Sequence, residues 1–466
     1  MIMRTLFFIC LSLLFWSCKE DVPQPMISGT LHDTYTKEPI VNARITVLEN
    51  GPETTTDSDG YFAFETSQLM DTEKVDIDGI ANGAISIHHE DYRPIELNIP
   101  IAKKTEIKLV SKGLPVYGYH EPVQLNDGLE TANVSDVSMD RQVIQNMMDE
   151  IAQDGYKELH SLLIYKDGKL VLEDYFFGNN DTINFEEGVI VDSRPEPIQW
   201  TRNTPHYVAS VNKALTSTLV GIALDQNNLS TATNIASYLP AYSQHFDSEP
   251  AANIDFESCL TMTAGFQWDE WGSNDLALLW KSDDFAEYVL SRNNMGISEW
   301  RYNSALPNLL LKALDNMVAG DVRSWAHDNF YEKLGITNYN WQSQPDGYPE
   351  GAARLYITPR DMLKVGITYL QNGQWQGEQV IPAKWVEECL NVKKSTDSGD
   401  YSCYFWMREL KGIKYLSADR DGGNYINIFP EQNMVVVFTQ GLYLKWPSYV
   451  VQADKMMGNY ILPSLE

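Results

Sequence analysis

Basic residues are scarce in this 466-residue chain. Its 35 lysines and arginines stand against 64 aspartates and glutamates, which gives a formal net charge of −29. A surface with this charge repels phosphate backbones and anionic headgroups, so the composition argues against a nucleic-acid partner. The chain also lacks a glycine-rich nucleotide loop of the form GxxxxGK[ST], so no bound nucleotide is predicted.

Cysteine is rare as well. The chain has five: Cys10, Cys18, Cys259, Cys389 and Cys403. None of them occurs in a C-x-x-C spacing, so the sequence predicts neither a disulfide framework nor a zinc site. The last three are expected to be small buried side chains. We therefore expect no metal and no organic cofactor.

No apolar run reaches the ~20 residues that a membrane-spanning helix needs. The run Leu6–Trp16 follows Arg4 and is about as long as the apolar part of a secretion signal. Residues 1–18 resemble a bacterial lipoprotein signal, in which Cys18 is lipidated, and residues 19–26 form a polar tether. The resemblance implies a lipoprotein of a Gram-negative outer membrane, on the periplasmic face or the cell surface. The alternative is a cleaved signal without lipidation.

Residues 27–110 contain short alternating stretches separated by Gly, Pro, Asn and Asp, which predicts an all-β sandwich. Asp59-Gly60 is expected to form a turn between two of its strands. The stretch "ISGTLHDTYTKEPIVNARITVLENGPETTTDSDGYFAFE" resembles the carboxypeptidase regulatory-like domains, which are transthyretin-like sandwiches. The resemblance implies a spacer or adhesive module rather than a catalyst.

Residues 111–137 are predicted to be a linker, and residues 138–466 a second domain. That domain opens with an amphipathic helix whose N-cap is expected to be Ser138, followed by a hairpin with Asp167-Gly168 at its tip. Helical segments dominate the middle of the domain, and several strands precede a C-terminal helix. The pattern predicts an α/β domain with one antiparallel sheet flanked by helices, together with an all-α subdomain.

The stretch "YVASVNKALTS" places Ser210 three residues before Lys213, where a long apolar helix pattern begins. Residues three apart lie on one helix face, so the two side chains are expected to meet. A serine at a helix N-terminus can attack a carbonyl while backbone N–H groups hold the oxyanion. A buried lysine can take the hydroxyl proton. The alternative is a capping serine followed by a surface lysine.

Two later stretches offer partners for this pair. Tyr302 lies in a polar turn before an apolar helix, where its hydroxyl can relay a proton to a leaving group. The paired glycines of "DRDGGNYINIF" enter a strand, where a backbone can approach a substrate closely. Taken alone, each has a simpler explanation: an aromatic side chain that anchors a turn, and a tight turn.

In this order, the three elements resemble the motifs of serine beta-lactamases and penicillin-binding-protein-like hydrolases. This group includes class C beta-lactamases, D-alanyl-D-alanine peptidases and related esterases. The likeness extends from Tyr117 to Leu462 and includes "LTMTAGFQWDEW" and "YITPRDMLKVGITYLQNGQWQGEQVIP". It implies that the second domain has the beta-lactamase-like α/β fold.

By position, the resemblance implies that Ser210 is the acylated nucleophile, Lys213 the general base and Tyr302 the acid/base partner. The backbone N–H groups of Ser210 and Asn424 are expected to form the oxyanion hole, with Gly423 beside the substrate. No metal takes part in this scheme.

Two departures from the family pattern bear on the substrate. Ser304 stands where the family has an asparagine that contacts the substrate, and the Lys-Thr-Gly motif of enzymes that hold a penicillin carboxylate is missing. Both argue against efficient beta-lactam hydrolysis. The expected function is a serine hydrolase that cleaves an ester or amide in a small molecule or peptide. The alternatives are a surface-anchored binding protein with an inactive hydrolase scaffold, and a penicillin-binding D,D-peptidase or sensor.

Overall fold

The computed structural model describes most of the chain beyond residue 26. The described residues are 27–33, 36–47, 51–64, 74–75, 81–100, 103–112, 118–152, 155–180, 198–270, 272–297 and 299–465. The predicted signal segment, Cys18 and the tether lie outside these residues. The chain divides into two compact units, residues 1–115 and 116–466.

The first unit is built from strands. They are β1 (Ile27–Asp33), β2 (Arg44–Val47), β3 (Glu53–Thr55), β4 (Tyr61–Phe64), β5 (Lys74–Val75), β6 (Ala81–His88), β7 (Ile95–Pro100) and β8 (Lys104–Leu109). One sheet has the order β4-β1-β8, and a second has the order β3-β2-β6-β5 with β7 also paired to β6. As predicted, Asp59-Gly60 lies in the turn before β4, where Gly60 has a φ of 70°.

One cluster of buried side chains in this unit draws on both sheets. Leu31 and Phe62 come from the first sheet, and Ile45 and Ile85 from the second. Alternating burial along β2 and β4 is the pattern of strands with one face in a core. The assignment to the carboxypeptidase regulatory-like sandwiches stays a prediction, since parts of this unit lie outside the described residues.

The second unit contains one large antiparallel sheet. Its strands are β9 (Leu159–Lys166), β10 (Lys169–Tyr175), β18 (Lys394–Thr396), β19 (Gly399–Ser402), β20 (Phe405–Leu410), β21 (Ile413–Arg420), β22 (Asn424–Phe429) and β23 (Met434–Gln440). They lie in the order β10-β9-β23-β22-β21-β20-β19-β18. Asp167-Gly168 joins β9 to β10, as predicted. Seven short strands complete the described set: β11 (Phe177–Gly178), β12 (Ile198–Gln199), β13 (His206–Tyr207), β14 (Tyr339–Trp341), β15 (Leu355–Ile357) and the hairpin β16 (Gln374–Trp375) with β17 (Glu378–Gln379).

Helices cover both faces of the large sheet. The helices are α1 (Arg141–Ala152), α2 (Val211–Gln226), α3 (Phe256–Leu260), α4 (Asp275–Trp280), α5 (Phe285–Leu290), α6 (Leu306–Asp315), α7 (Val322–Ala326), α8 (Pro359–Leu370), α9 (Ala383–Leu390) and α10 (Ser448–Met456). Along β23, Val436 and Phe438 pack in the cluster that contains α1 and α10, whereas Val435 and Val437 pack in the cluster that contains α2 and α8. Residues 434–438 of the strand are all apolar because both of its faces are buried. The structure thus has the predicted helix–sheet–helix layering, and α3 to α7 supply the helical subdomain.

The start of this domain differs from the prediction in two ways. Ser138 does not cap α1; it ends a short 3-10 helix, Val134–Val137, with a φ of 58°. Instead, the carboxylate of Asp140 accepts hydrogen bonds from the backbone N–H groups of Gln142 and Val143 in the first turn of α1. Residues 118–137, predicted as part of a linker, belong to the second unit, where Thr131 bridges to Leu170.

α2 is the central helix of the second unit. All residues from Val211 to Leu224 are buried, since the sheet, α6 and α9 surround the helix. A helix that is apolar on every side belongs in a core, so a charged residue within it needs a specific partner. Lys213 is that residue. In the described part of the chain, no helix has the length and apolar character to cross a bilayer.

Candidate active site

Ser210 lies in a sharp bend between β13 and α2. The bend places Ala209 at a φ of 46°, a left-handed conformation that is costly for a residue with a Cβ. The backbone N–H of Val208 donates to Leu355 O at 3.1 Å and ties the bend to β15. Ser210 occupies the N-cap position of α2, but its side chain caps no backbone N–H. The capping role is therefore excluded, and the hydroxyl is directed elsewhere.

The hydroxyl of Ser210 meets the amine of Lys213, as predicted. Lys213 Nζ donates to Ser210 Oγ at 2.8 Å, and the lysine is only 2% exposed. Nζ also donates to the backbone carbonyl of Ala352 at 3.2 Å. None of the described carboxylates forms an ion pair with Lys213. Its two partners are thus a hydroxyl and a carbonyl, in place of the counter-charge that a buried lysine normally has.

The segment Glu350–Arg354 runs alongside α2 and holds the lysine in place. Three consecutive carbonyls accept hydrogen bonds from the helix: Glu350 O from Asn212 Nδ2 at 2.8 Å, Gly351 O from Thr216 Oγ1 at 2.8 Å and Ala352 O from Lys213 Nζ. The sequence pattern did not reveal this segment, because only the fold brings it next to α2.

The side chain of Glu350 gives this segment its shape. Glu350 is completely buried, and its carboxylate accepts from four groups: Ala352 N at 3.1 Å, Ala353 N at 2.5 Å, Arg354 N at 2.7 Å and Asn308 Nδ2 at 3.0 Å. Buried polar groups are stable only when they are satisfied in this way. Glu350 therefore positions Lys213 through the backbone of its own loop.

Glu350→Gln tests this role. Each carboxylate oxygen accepts from two donors, so the amide NH₂ of glutamine would leave two buried donors without an acceptor. We expect the free energy of unfolding to fall by about 1–3 kcal/mol, measured by urea denaturation. Glu378→Gln, on an exposed hairpin, is the control and should change little. An unchanged unfolding free energy for Glu350→Gln would contradict the role assigned to its carboxylate.

Tyr302 lies next to the same pair. The amine of Lys213 is 4.9 Å from the centroid of the Tyr302 ring, so the second predicted motif does meet the first. The turn that carries it is fixed by Asn303, whose Oδ1 accepts from Ala305 N at 2.8 Å just before α6. The structure thus brings Ser210, Lys213 and Tyr302 together at the N-terminal ends of α2 and α6.

Ser304 has a partner that the sequence did not suggest. Its hydroxyl and its backbone N–H both donate to the carboxylate of Glu270, the latter at 3.1 Å. Trp268 Nε1 donates to the same carboxylate at 2.7 Å. Ser304, predicted as a substrate-binding residue, does line the cleft, and its hydroxyl is bound to Glu270. Glu270 lies within "LTMTAGFQWDEW", a stretch that carried the family resemblance without a role for this residue.

The third motif lines the cleft only in part. Asp421 lines the cleft beside Ser210, whereas Gly423 and Asn424 do not. Asn424 is fully buried, and strand pairing sets it opposite Arg420. Gly422 has a φ of 83°, and a Cβ there would come within 2.4 Å of the Tyr443 ring, so the glycine is required for packing. The assignment of the Asn424 N–H as an oxyanion donor stays a prediction.

Ser210, Tyr302, Ser304 and Asp421 open onto one cleft of about 750 Å³. Its walls are rich in aromatic side chains: Tyr207, Trp268, Trp280, Trp300, Tyr302, Trp446 and Tyr449 all line it. Trp446 is 75% exposed at the rim, whereas Trp268 and Trp280 are buried. A concave, largely apolar cleft with a few polar groups is typical of a site for a small ligand.

A possible set of metal ligands lies elsewhere in the second unit. His327, Asp328 and Glu332 bring three ligand atoms within 4.8 Å of one another. Both acids are exposed, and none of the three residues lines the cleft. They therefore have no part in the chemistry at Ser210.

Two buried histidines brace the strand that leads to Ser210. His160 Nδ1 and His206 Nε2 are 2.8 Å apart, and His206 Nδ1 donates to Tyr207 O at 2.8 Å. Since Nδ1 of His206 carries the hydrogen that it donates, Nε2 of the neutral ring carries none. Nε2 therefore accepts a hydrogen bond from Nδ1 of His160 when both rings are neutral. Trp200 stacks on His160 with the ring centroids 4.5 Å apart. Burial lowers the pKa of His160 and holds that of His206 well below its ordinary value.

The histidine pair predicts a loss of stability in mild acid. A histidine whose pKa is lower in the folded chain binds fewer protons there than in the unfolded chain. Its contribution is therefore complete above the unfolded pKa of about 6.5 and declines as the pH falls below it. Between pH 7.5 and 5, we expect the melting temperature of the wild type to fall by about 2–4 °C more than that of His206→Asn. His206 is the only titratable group that differs between the two proteins. Equal falls in melting temperature between pH 7.5 and 5 would therefore contradict this account.

The chain belongs to the beta-lactamase family, which consists of serine hydrolases. Residues 141–444 match the family model described as beta-lactamase, and this range is well over half of the chain. It contains Ser210, Lys213, Tyr302 and Asp421. A search of curated proteins finds no match.

Solved structures share this fold at low sequence identity. A proposed 6-aminohexanoate-dimer hydrolase from Bacillus anthracis is 15% identical, with a TM-score of 0.53 over 75% of this chain and 91% of that one. A penicillin-binding protein homologue from Caulobacter crescentus is 12% identical, with a TM-score of 0.52 over 70% and 97%. A family VIII carboxylesterase is 14% identical, with a TM-score of 0.52 over 67% and 96%. At these identities the likeness shows the fold alone.

Proposed function

We propose that this protein cleaves an ester or amide bond through an acyl-enzyme formed on Ser210. The observation that carries the proposal is the 2.8 Å contact between Lys213 Nζ and Ser210 Oγ, made by a buried lysine that has no described carboxylate partner. A hydroxyl next to an amine of this kind is the arrangement that nucleophilic catalysis requires. An N-cap serine with a surface lysine would show neither feature.

Acylation begins with transfer of the Ser210 hydroxyl proton to Lys213 Nζ as Oγ attacks the substrate carbonyl. The resulting tetrahedral intermediate collapses when the bond to the leaving group breaks. The leaving oxygen or nitrogen takes up the proton, either from Lys213 or from the Tyr302 hydroxyl next to it. Water then attacks the acyl-enzyme, one of the same two groups accepts the water proton, and Ser210 leaves with its hydrogen restored.

We assign the oxyanion hole to the N-terminus of α2 and the turn at Asp421. The backbone N–H of Ser210 has no acceptor among the described residues, so it is available to a developing negative charge. It lies at the positive end of a 16-residue helix. Asp421 is the residue of the third motif that lines the cleft, which favours its turn over Asn424 as the second donor.

The cleft favours a small molecule or short peptide as the substrate. Its volume of about 750 Å³ suits a ligand of that size. The hydroxyl of Ser304 is bound to Glu270, so it does not replace the missing family asparagine. Together with the absent Lys-Thr-Gly motif, this favours an esterase, amidase or peptidase over an efficient beta-lactamase. A penicillin-binding sensor that acylates without turnover is the second candidate, because it would use the same Ser210 and Lys213.

Ser210→Ala and Lys213→Ala test the mechanism on p-nitrophenyl esters. Removing the nucleophile should lower kcat by about 10⁴-fold or more, and removing the base nearly as much. Ser217→Ala changes a buried serine on the same helix that does not line the cleft, so it is a matched control and should retain activity. Wild-type rates in Ser210→Ala would end the assignment. Release of one p-nitrophenolate per protein molecule, with no further turnover in the wild type, would favour the penicillin-binding sensor.

We further propose that Cys18 carries a lipid that anchors the protein in the outer membrane of a Gram-negative bacterium. The support is the N-terminal pattern of a short apolar run followed by Ser17-Cys18 and a polar tether. Cys18→Ser should move the protein from the membrane fraction to the soluble fraction and abolish labelling by radioactive palmitate. Cys10→Ser is the control. Membrane association that persists in Cys18→Ser would reject the lipid anchor.

A further inference from the structure

A buried carboxylate lies in the wall of the cleft. Glu270 is 5% exposed and lines the same cleft as Ser210 and Tyr302. Three donors fix it: the indole Nε1 of Trp268 at 2.7 Å, and the backbone N–H and hydroxyl of Ser304. Ser304 follows Tyr302 by two residues. The carboxylate is thus held rigidly close to the catalytic groups.

Glu270 has hydrogen-bond donors but no cationic partner. Within the described residues, no lysine, arginine or histidine forms an ion pair with it. Buried carboxylates normally have such a partner, because hydrogen bonds alone do not replace the lost hydration of a charge. Two other buried acids of this unit follow that rule: Asp275 pairs with Arg292, and Glu173 with Arg360. Glu350 has only neutral hydrogen-bond donors, but it does not line the cleft. Glu270 is therefore an exception at the substrate cleft.

The rest of the cleft also suits a positive charge. Asp269 and Asp421 line it along with Glu270, whereas Arg301 is the one basic residue among its lining and is exposed. Trp268 and Trp280 line the cleft with Glu270 and are buried, and the guanidinium of Arg354 lies 5.6 Å from the centroid of the Trp280 ring. The faces of tryptophan rings attract cations, most strongly away from water.

We propose that Glu270 is a specificity-determining residue that binds an ammonium group of the substrate. The inference rests on the proposed function for its setting and deepens it by naming the substrate class: esters or amides that carry a positively charged amine. The ammonium group supplies the counter-charge that the chain itself does not provide, and the tryptophan walls enclose its alkyl part. Ser304 and Trp268 are positioning residues that orient the carboxylate.

Binding tests the proposal without catalysis. Ser210→Ala protein is titrated with an n-alkylammonium ion and with the alcohol of the same chain length, and ligand-observed NMR gives both dissociation constants. We expect the ammonium ligand to bind about tenfold more tightly, and adding Glu270→Gln to remove this preference. Glu378→Gln is the matched control: it makes the same substitution at an exposed glutamate outside the cleft, so the preference should remain.

Kinetics gives the second readout. Two sets of p-nitrophenyl esters are compared, one with acyl chains that end in an ammonium group and one with chains of equal length that end in a methyl group. The ratio of kcat/KM between the two sets is taken within each protein, so that a general loss of activity cancels. The wild-type ratio should favour the ammonium esters, and Glu270→Gln should lower that ratio about tenfold.

Two results would overturn the proposal: equal binding of the two ligands to Ser210→Ala, or a preference for ammonium that survives Glu270→Gln. Failure of the proposed function is recognised separately. In that case neither ester set is hydrolysed by the wild type, while the binding preference and its loss in Glu270→Gln still decide whether Glu270 holds a cation.

Discussion

The site depends on one constraint: a lysine amine is buried at the first turn of a helix that is surrounded by protein on all sides. The core around α2 excludes water from Lys213, and no described carboxylate balances it. The hydrogen-bond acceptors of the amine are the Ser210 hydroxyl and the Ala352 carbonyl. The strained bend at Ala209, the loop shaped by Glu350 and the Tyr302 turn all serve to keep these groups in contact.

The sequence predicted the parts of this arrangement that depend on local pattern. The spacing of Ser210 and Lys213 on one helix and the Asp167-Gly168 hairpin follow from short-range rules, and the structure has them as predicted. The large antiparallel sheet followed from apolar strands at the two ends of the domain. The meeting of Tyr302 with Lys213 followed only from the family resemblance, because no local rule relates residues so far apart.

The features that the sequence did not reveal depend on tertiary contacts and on competition between neighbouring caps. Glu350 and Glu270 look like ordinary acids in the sequence, and only the fold shows that one shapes the Lys213 loop and the other lies in the cleft. Asn424 was matched to a family position; strand pairing sets it opposite Arg420 in a buried strand, and its role as an oxyanion donor stays a prediction. Ser138 lost the capping role to Asp140, which lies one residue before α1. The type of the N-terminal sandwich and the lipid anchor remain predictions.

The central claim is that Lys213 activates Ser210. The most direct measurement is the mass of the protein, and of its tryptic peptides, after exposure to a fluorophosphonate, a reagent that phosphonylates activated serines. The account predicts a single adduct on Ser210 in the wild type, with labelling at least about a hundredfold slower in Lys213→Ala. Equal labelling rates in the two proteins, or no adduct on Ser210 in the folded wild type, would contradict it.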